Sequence, residues 1–293
     1  MDMELIFRGV VFGLSTGGIL FLVSLGISIG FGLMRIVNME QMVYYTFGAY
    51  ATYTVLSVTG SFWLGLMCGV LLAAFLGLLV EFLLLRRVYG QELMFTMVVT
   101  FSVFLIGIGI IQYVWGLAPK PVPSPTEILI DFFNVSMPLY RLIIIAIAAL
   151  VYVLIQLLLN KTIIGRALRA GIEDPEKVQG LGINIYRIMT LTFVVASGLA
   201  GLGGALNSAL IMVGPYMGFD MLLYAFVTVI LGGLGSIKGT LVSAIILGQV
   251  ISVGGTIWAP LSYLAPFLVM FFVILIKPTG LYGVKGKAFG FEE

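Results

Sequence analysis

The stretch from Gly9 to Met34 reads GVVFGLSTGGILFLVSLGISIGFGLM and contains no charged residue. An α-helix needs about 20 apolar residues to cross the hydrocarbon core of a bilayer, so this stretch is long enough to span a membrane. The preceding residues, MDMELIFR, lack the strongly basic region of a secretory signal peptide, and no clear small-residue cleavage site follows the apolar run. We therefore predict an uncleaved first membrane span.

The rest of the chain repeats this pattern of long apolar runs separated by charges. Of its 293 residues, 61% are hydrophobic and 10% are charged, whereas a soluble domain carries about 25% charged residues. The pattern predicts an all-α, polytopic transmembrane helix bundle of about nine spans (range about eight to ten) that forms a single membrane domain over residues 1–293. The predicted spans are Gly9–Leu33, Met39–Val58, Phe62–Leu85, Leu93–Trp115, Leu139–Leu159, Ile188–Met212, Phe219–Leu234, Thr240–Ile257 and Ser262–Ile276.

The basic residues predict how these spans are oriented. If the C-terminus lies in the cytoplasm and nine spans alternate, twelve Lys and Arg residues fall on the inside and three on the outside, namely Arg8, Lys120 and Arg141. Cytoplasmic loops of membrane proteins carry an excess of Lys and Arg. The bias therefore predicts an outer N-terminus, an inner C-terminus and a location in the cytoplasmic membrane.

Composition and motifs argue against several classes of function. The chain has no histidine, which excludes a histidine-ligated metal site and a Ser-His-Asp triad. Its net charge of +2 is too small to indicate nucleic-acid binding. The P-loop pattern G-x-x-x-x-G-K-[ST] does not occur, since the similar stretch GVKGKA at 283–288 lacks the glycine spacing and the hydroxyl residue. We therefore predict that this chain has no catalytic residue and binds no metal or cofactor.

The longest predicted cytoplasmic segment is residues 160–187, which carries eight charged residues. Within it, Asp174 is a favourable helix N-cap, Pro175 a favourable first helical residue, and Glu176 a charge that suits the first turn. Gly182 is a natural stop signal for such a helix. The segment therefore predicts a helix of about two turns, which is marginal in water by itself.

This short helix has an apolar face that a partner protein can cover. Val178 and Leu181 are three residues apart and so share one side of the helix. Setting that face into a groove of a partner would stabilise the helix. We therefore predict that the loop docks on another protein, and a solvated connector is the alternative interpretation.

Four blocks of the chain carry a family resemblance in the expected order. They read SLGISIGFGLMRIVNMEQMVYYTFGAY at 24–50, GRALRAGIEDPEKVQGLGINIYRIMTLTFVVASGLAGLGGAL at 165–206, VTVILGGLGSIKGTLVSAIILG at 227–248 and LVMFFVILIKPTGLYG at 268–283. Together they resemble branched-chain amino acid permeases, which are membrane subunits of binding-protein-dependent ABC importers. The resemblance covers most of the chain.

The second block is similar to the cytoplasmic coupling region of that family. Glu176 and Gly182 match the acid and the glycine of the EAA-type motif, whereas Lys177 and Val178 replace its two small residues. The resemblance implies that the residues that couple to an ATPase are Asp174, Pro175, Glu176, Val178, Leu181 and Gly182. It also implies four partner subunits: a second permease subunit, two separate ATP-binding cassette subunits that bind ATP and Mg²⁺, and an extracytoplasmic solute-binding protein. Membrane lipid surrounds the permease itself.

Polar groups inside the predicted spans are candidates for a solute pathway, because such groups are expensive in a membrane and usually face a cavity. Asn38 matches the first family block, but Gln41 stands where the family commonly has histidine. Glu40 either faces the pathway or pairs with Arg35 at the membrane interface. Breaks in glycine-rich helices also expose backbone groups that bind a zwitterion. The candidate pathway residues are Asn38, Glu40, Gln41, Ser197, Asn207, Gly232, Gly233 and Gly235.

Two further acids have a structural interpretation. Glu81 is predicted to form an interfacial charge pair with Arg86. Asp220 is predicted to cap the seventh span, and meeting incoming solute is its alternative role.

These patterns predict a permease subunit of an ABC importer that moves branched-chain amino acids or a related small polar solute. A permease of the same family for urea or a short amide is one alternative. A secondary transporter driven by an ion gradient is another, although most acids of this chain lie at span ends or in loops. A passive channel for a small solute is a third, and an assembly or anchoring subunit without a solute pathway is a fourth.

Overall fold

The computed structural model describes residues 3–34, 38–89, 91–132, 135–173, 175–180 and 182–283. The helices are α1 (Met3–Met34), α2 (Gln41–Thr59), α3 (Phe62–Leu83), α4 (Leu93–Trp115), α5 (Leu139–Lys161), α6 (Ile163–Glu173), α7 (Pro175–Gly180), α8 (Ile185–Asn207), α9 (Met217–Gly232), α10 (Ile237–Ile257) and α11 (Leu261–Ile276). The strands are β1 (Leu129–Phe132) and β2 (Val135–Pro138), and a 3-10 turn over Leu85–Arg87 follows α3.

Nine of the described helices match the nine predicted spans. Six of them, α1, α3, α4, α5, α8 and α10, are long and apolar enough to cross a membrane. The helices α9 and α11 are apolar but shorter, and α2 has 19 residues and is richer in polar side chains. The prediction of an all-helical, polytopic membrane bundle is therefore confirmed.

The centre of the bundle is formed by α1, α2 and α8. α1 packs mainly against α10 and α8, while α2 packs between α3 and α8. Glycines allow α2 and α8 to come close together. Gly48 of α2 lies against Gly201 of α8, and Gly204 of α8 lies against the carbonyl group of Tyr45. Small residues let helix backbones come close in membranes, where van der Waals packing holds helices together. As a result, residues 41–52 of α2 are all buried.

The proline-rich loop between α4 and α5 contains a hairpin and a bridge. β1 and β2 pair antiparallel, with Leu129 opposite Pro138. Two backbone hydrogen bonds, of 2.8 and 2.9 Å, join Lys120 to Val213 in the segment between α8 and α9. The loop between α4 and α5 is therefore joined by backbone hydrogen bonds to the loop between α8 and α9.

The predicted cytoplasmic loop contains two helices, α6 and α7. Thr162 has an extended backbone that ends α5, and its hydroxyl donates a hydrogen bond to the Leu158 carbonyl (2.6 Å). The same hydroxyl accepts a hydrogen bond from the Gly165 amide (3.1 Å), which is a typical N-cap contact for a new helix. No sequence signal that we used predicted α6. In contrast, α7 begins at Pro175, as predicted.

The start of α9 differs from its prediction. Tyr216 is the N-cap residue, and Asp220 lies exposed in the first turn without capping the helix. The prediction that Asp220 caps this helix is therefore wrong. The chain turns at Gly214, whose carbonyl accepts a hydrogen bond from the Met217 amide (3.2 Å), so the helix begins before Asp220 is reached.

The segment after α11 closes the turn between α9 and α10. The amides of Leu281 and Tyr282 donate hydrogen bonds to the carbonyls of Leu231 and Gly232, at 2.8 and 2.9 Å. Gly280 has a φ of 76°, a left-handed conformation that glycine adopts without steric cost and that turns the chain back. These bonds satisfy carbonyl groups that the C-terminus of a helix otherwise leaves unpaired.

Candidate functional site

Asn38, Glu40 and Gln41 lie inside the membrane-spanning part of the bundle. A Cβ added to Gly30 of α1 would contact the Asn38 side chain, and one added to Gly26 would overlap the Gln41 amide. Gly26 lies eight residues before the end of α1, which is about 12 Å along the helix. The three polar side chains are only 2%, 0% and 0% exposed. The predicted pathway residues at the start of α2 and just before it are therefore buried together in the packed bundle.

These side chains carry polar atoms with no hydrogen-bond partner among the described residues. The atoms are Asn38 Oδ1, both carboxylate oxygens of Glu40, both polar atoms of the Gln41 amide, and the hydroxyl of Tyr44. We name Asn38, Glu40, Gln41 and Tyr44 the α2 polar cluster. Arg35, the alternative partner predicted for Glu40, lies outside the described residues. Because an unpaired buried polar group costs about 1–3 kcal/mol, such a cluster indicates a place where a polar ligand or water binds.

Tyrosines of α2 lie beside these polar groups, although no sequence pattern singled them out. Tyr44 packs edge to face on Phe193 of α8, with 6.1 Å between the ring centroids. The Asn207 amide donates a hydrogen bond to the Tyr45 hydroxyl (2.6 Å). The predicted pathway residue Asn207 is therefore engaged in a contact between α8 and α2. The available signal was spacing, since Tyr44 and Tyr45 follow Gln41 by three and four residues on the same helix face.

Ser197 makes a local contact in α8. Its hydroxyl donates a hydrogen bond to the Phe193 carbonyl one turn earlier (2.8 Å). A Cβ added to Gly77 of α3 would overlap this hydroxyl, so Ser197 lies at the packed crossing of α3 and α8. Its role in a solute pathway stays a prediction.

Gly232, Gly233 and Gly235 lie at the predicted break between two spans. α9 ends at Gly232, and Gly233 and Gly235 have φ values of 99° and 79° before α10 begins at Ile237. Glycine takes these left-handed conformations without steric cost. The Gly232 carbonyl is already bonded to the Tyr282 amide. The break therefore has fewer free backbone groups for binding a zwitterion than were predicted from its glycine-rich sequence.

A buried ion pair lies close to the α2 polar cluster. Glu81 of α3 is fully buried and accepts hydrogen bonds from Arg86 Nε (3.2 Å to each oxygen), the Tyr89 hydroxyl (3.2 Å) and the Thr190 hydroxyl (2.9 Å). We name these four residues the Glu81 network. The predicted pair of Glu81 and Arg86 is confirmed, and Thr190 extends it to α8. Tyr89 also lies within electrostatic range of Glu40, so the network borders the α2 polar cluster.

The Tyr89 hydroxyl is a stable donor in this network. Burial raises the pKa of Tyr89, and the neighbouring Glu81 carboxylate raises it further. The phenol therefore keeps its proton at neutral pH and continues to donate to the carboxylate.

Removing the Glu81 carboxylate is expected to destabilise the fold. In Glu81→Ala, Tyr89 loses its acceptor and the link from Thr190 to α3 is lost, whereas Thr190 keeps the Tyr186 carbonyl as acceptor and Arg86, 35% exposed, can turn toward water. We expect the free energy of unfolding to fall by about 1–3 kcal/mol, which lowers the apparent melting temperature of the purified protein in detergent. Glu92→Ala makes the same change at an exposed acid and should leave the melting temperature almost unchanged. Equal melting temperatures for the two variants would contradict a stabilising role for the network.

The structure describes part of the predicted coupling segment. Asp174 and Leu181 lie outside the described residues. Pro175 and Glu176 belong to the first turn of α7. Gly182 has a φ of 80°, and its amide donates a hydrogen bond to a carbonyl of α7 (2.9 Å), which is the predicted left-handed stop after the helix.

Val178 has a different environment from the one predicted. Its side chain is 3% exposed, and α7 packs on α6 and α8. The prediction that Val178 lies on an open docking face is therefore wrong, because this chain itself covers the side chain. Gln179 and Gly180 are exposed instead. Docking of the loop on a partner stays a prediction.

Comparison with known proteins assigns this helix bundle to a family. A sequence model of the family described as "Branched-chain amino acid transport system / permease component" matches residues 9–274. The chain belongs to this family. The resemblance found in the four sequence blocks is confirmed, and the protein is a multi-pass permease of the cytoplasmic membrane rather than an enzyme.

The permease is similar to proteins of known name along nearly its whole length. It is 24% identical over 290 residues to "High-affinity branched-chain amino acid transport system permease protein LivH" of Escherichia coli (strain K12), covering 92% of this chain and 93% of the relative. It is 27% identical over 286 residues to "Probable branched-chain amino acid transport permease protein LivH" of Methanocaldococcus jannaschii, covering 92% and 90%. The solved structure "PsaBC from Streptococcus pneumoniae in complex with Fab" shares the fold, with a TM-score of 0.52 at 14% identity over 92% of both chains.

Proposed function

We propose that the permease is a pore subunit of an ABC importer that moves a branched-chain amino acid, or a related small polar solute, into the cytoplasm. A second permease subunit, two ATP-binding cassette subunits that bind ATP and Mg²⁺, and an extracytoplasmic solute-binding protein complete this importer. The names of the relatives support the solute class, because both are permeases of branched-chain amino acid transport.

The α2 polar cluster is the observation that carries this proposal. It places oxygen and nitrogen atoms that have no partner among the described residues in the centre of an apolar bundle. Glu40 and Asn38 offer acceptors, and the Gln41 amide offers both a donor and an acceptor, so the set can bind an ammonium group and a carboxylate. The ammonium group of an amino acid would supply a counter-charge that favours an ionised Glu40, whereas neutral urea supplies none, and a buried carboxyl without a counter-charge tends to hold its proton. An amino acid therefore fits the cluster better than urea does.

The energy source of transport lies outside the permease in this proposal, because the sequence contains no P-loop. The helices α6 and α7 stand between α5 and α8 on the predicted cytoplasmic side, where an ATPase subunit can dock. Thr190 lies near the start of α8 and binds Glu81 of α3. A movement of the loop would reach α3, beside the α2 polar cluster, through this contact.

Reconstitution separates the importer from the other classes of transporter. Proteoliposomes that contain the permease, its partner permease, the ATPase subunits and the binding protein are expected to take up radiolabelled leucine only when ATP is supplied. Uptake by the permease alone would support a channel and contradict the proposal. Uptake driven by a sodium or proton gradient without ATP would support a secondary transporter. Radiolabelled urea, tested in the same vesicles, distinguishes the two solute classes.

Reversing the charge of Glu176 is expected to uncouple ATP hydrolysis from uptake. A lysine in the first turn of α7 opposes the helix dipole and replaces the acid of the EAA-type motif. In Glu176→Lys we expect uptake to fall about tenfold while ATPase activity and membrane insertion persist, since coupling energies of ~1–3 kcal/mol are typical. Glu127→Lys makes the same reversal in the exposed loop of the opposite face and should transport normally. Normal uptake by Glu176→Lys would exclude the docking role.

A further inference from the structure

A cavity of about 450 Å³ lies where α1, α5, α6 and α8 meet the turn between α9 and α10. Its walls are mainly apolar and include Ile29, Ile155, Leu168 and Val195. The volume falls within the range of ~300–1,000 Å³ that is usual for ligand sites. No residue of the α2 polar cluster lines this cavity, and of the candidate pathway residues only Gly235 does, at its rim in the turn before α10.

The mouth of the cavity is marked by exposed residues from three elements. Leu191 of α8 and Ile164 of α6 are 48% and 38% exposed, and Lys238 of α10 is exposed beside them. All three lie near helix ends that the charge bias places at the inner membrane surface. Exposed leucine and isoleucine side chains at this depth face the hydrocarbon boundary rather than water. The mouth is therefore suited to a lipid rather than to a soluble partner.

Positive charge is concentrated at one side of this mouth. Lys238 is the second residue of α10, and the Ser236 hydroxyl caps the helix by accepting a hydrogen bond from the Gly239 amide (3.1 Å). The N-terminus of a helix is itself electropositive, so a lysine there is unfavourable unless an anion binds. Among the described residues, the single ion pair joins Arg86 to Glu81, so Lys238 has no carboxylate partner there.

We propose that this cavity binds an anionic phospholipid of the inner leaflet. One acyl chain occupies the apolar interior, and the phosphate lies at Lys238 and the N-terminus of α10. Basic side chains at the inner membrane surface attract anionic headgroups. Because Ile164 and Leu168 of α6 line the cavity, the bound lipid also supports the first helix of the coupling loop.

Native mass spectrometry of the purified full-length permease tests the headgroup contact. The protein is titrated with phosphatidylglycerol and, separately, with phosphatidylcholine of the same acyl chains. We expect a preference for phosphatidylglycerol that Lys238→Ala reduces about fivefold, the effect of one basic side chain at a membrane surface. Lys120→Ala makes the same change on the predicted outer face and should keep the preference. The same preference in the wild type and in Lys238→Ala overturns the proposal.

A second variant tests the acyl-chain contact. Val195→Trp places a larger side chain in the cavity, and we expect it to weaken the binding of both lipids while the protein elutes from size-exclusion chromatography like the wild type. If this variant does not fold, Lys238→Ala decides the question by itself. Displacement of phosphatidylglycerol by free leucine would identify the cavity as a solute site and would overturn the assignment to lipid.

Discussion

The variant Gln41→Leu is expected to be more stable than the wild-type permease and nearly inactive in transport. Leucine removes two buried polar atoms that have no partner among the described residues, and each unsatisfied group costs about 1–3 kcal/mol. The apparent melting temperature should therefore rise. If the amide binds the solute during passage, uptake should fall about 10- to 100-fold, because a hydrogen bond to a charged group is worth ~1.5–3 kcal/mol. Melting curves and ATP-dependent leucine uptake, measured on one preparation, check both expectations.

Gln249→Leu is the matched control for this variant. The Gln249 amide donates a hydrogen bond to the Val10 carbonyl (2.9 Å), so the same substitution breaks a bond that the native protein uses. We expect a lower melting temperature and normal uptake. A gain in stability together with a loss of activity is the usual signature of a functional polar group, and Gln41 alone should show it. Wild-type uptake by Gln41→Leu would place the α2 polar cluster outside the solute path.

Gly204→Ala is expected to prevent the close packing of α2 and α8. A Cβ at this position would overlap the Tyr45 carbonyl oxygen, which is a backbone atom and cannot rotate away. The helices must then separate, which also disturbs the contact of Gly48 with Gly201. Overpacking typically costs about 1–3 kcal/mol, and we expect a cost at or above the upper end of this range. The loss of stability is measured by heating the solubilised protein and determining by size-exclusion chromatography the fraction that still elutes as a single species.

Gly109→Ala provides the control for an added methyl group. A Cβ at Gly109 of α4 meets no atom within 4 Å, and alanine is the better helix former by up to ~1 kcal/mol. This variant should be as stable as the wild type or slightly more stable. If Gly204→Ala behaved like Gly109→Ala, the crossing of α2 and α8 would be loose enough to admit a side chain.

Most of the helix bundle was predictable because each membrane span is a continuous run of about 20 apolar residues, which can be recognised locally in the sequence. The observed bounds of α4, Leu93–Trp115, equal the predicted ones, since charges and glycine punctuate both ends of the apolar run. Prediction failed where a single contact or a distant element decides the outcome. The start of α6 depends on one hydroxyl, that of Thr162, and the burial of Val178 depends on packing against α6 and α8.

The candidate site was predictable only in part. Asn38, Glu40 and Gln41 were identifiable because polar residues are rare in an apolar run. Tyr44 was not singled out, because a tyrosine in such a run is ordinary and only its spacing of three residues from Gln41 could have marked it. The bond of Thr190 to Glu81 spans 109 positions in the chain, so no local spacing could reveal it.

The residues that close the turn between α9 and α10 come after all eleven described helices in the chain. Until Leu281 and Tyr282 emerge, the carbonyls of Leu231 and Gly232 have no amide to accept from. This turn can therefore close only after α11 has been synthesised. A chain cut just after α11 would leave these two carbonyls at the end of α9 without their amide donors.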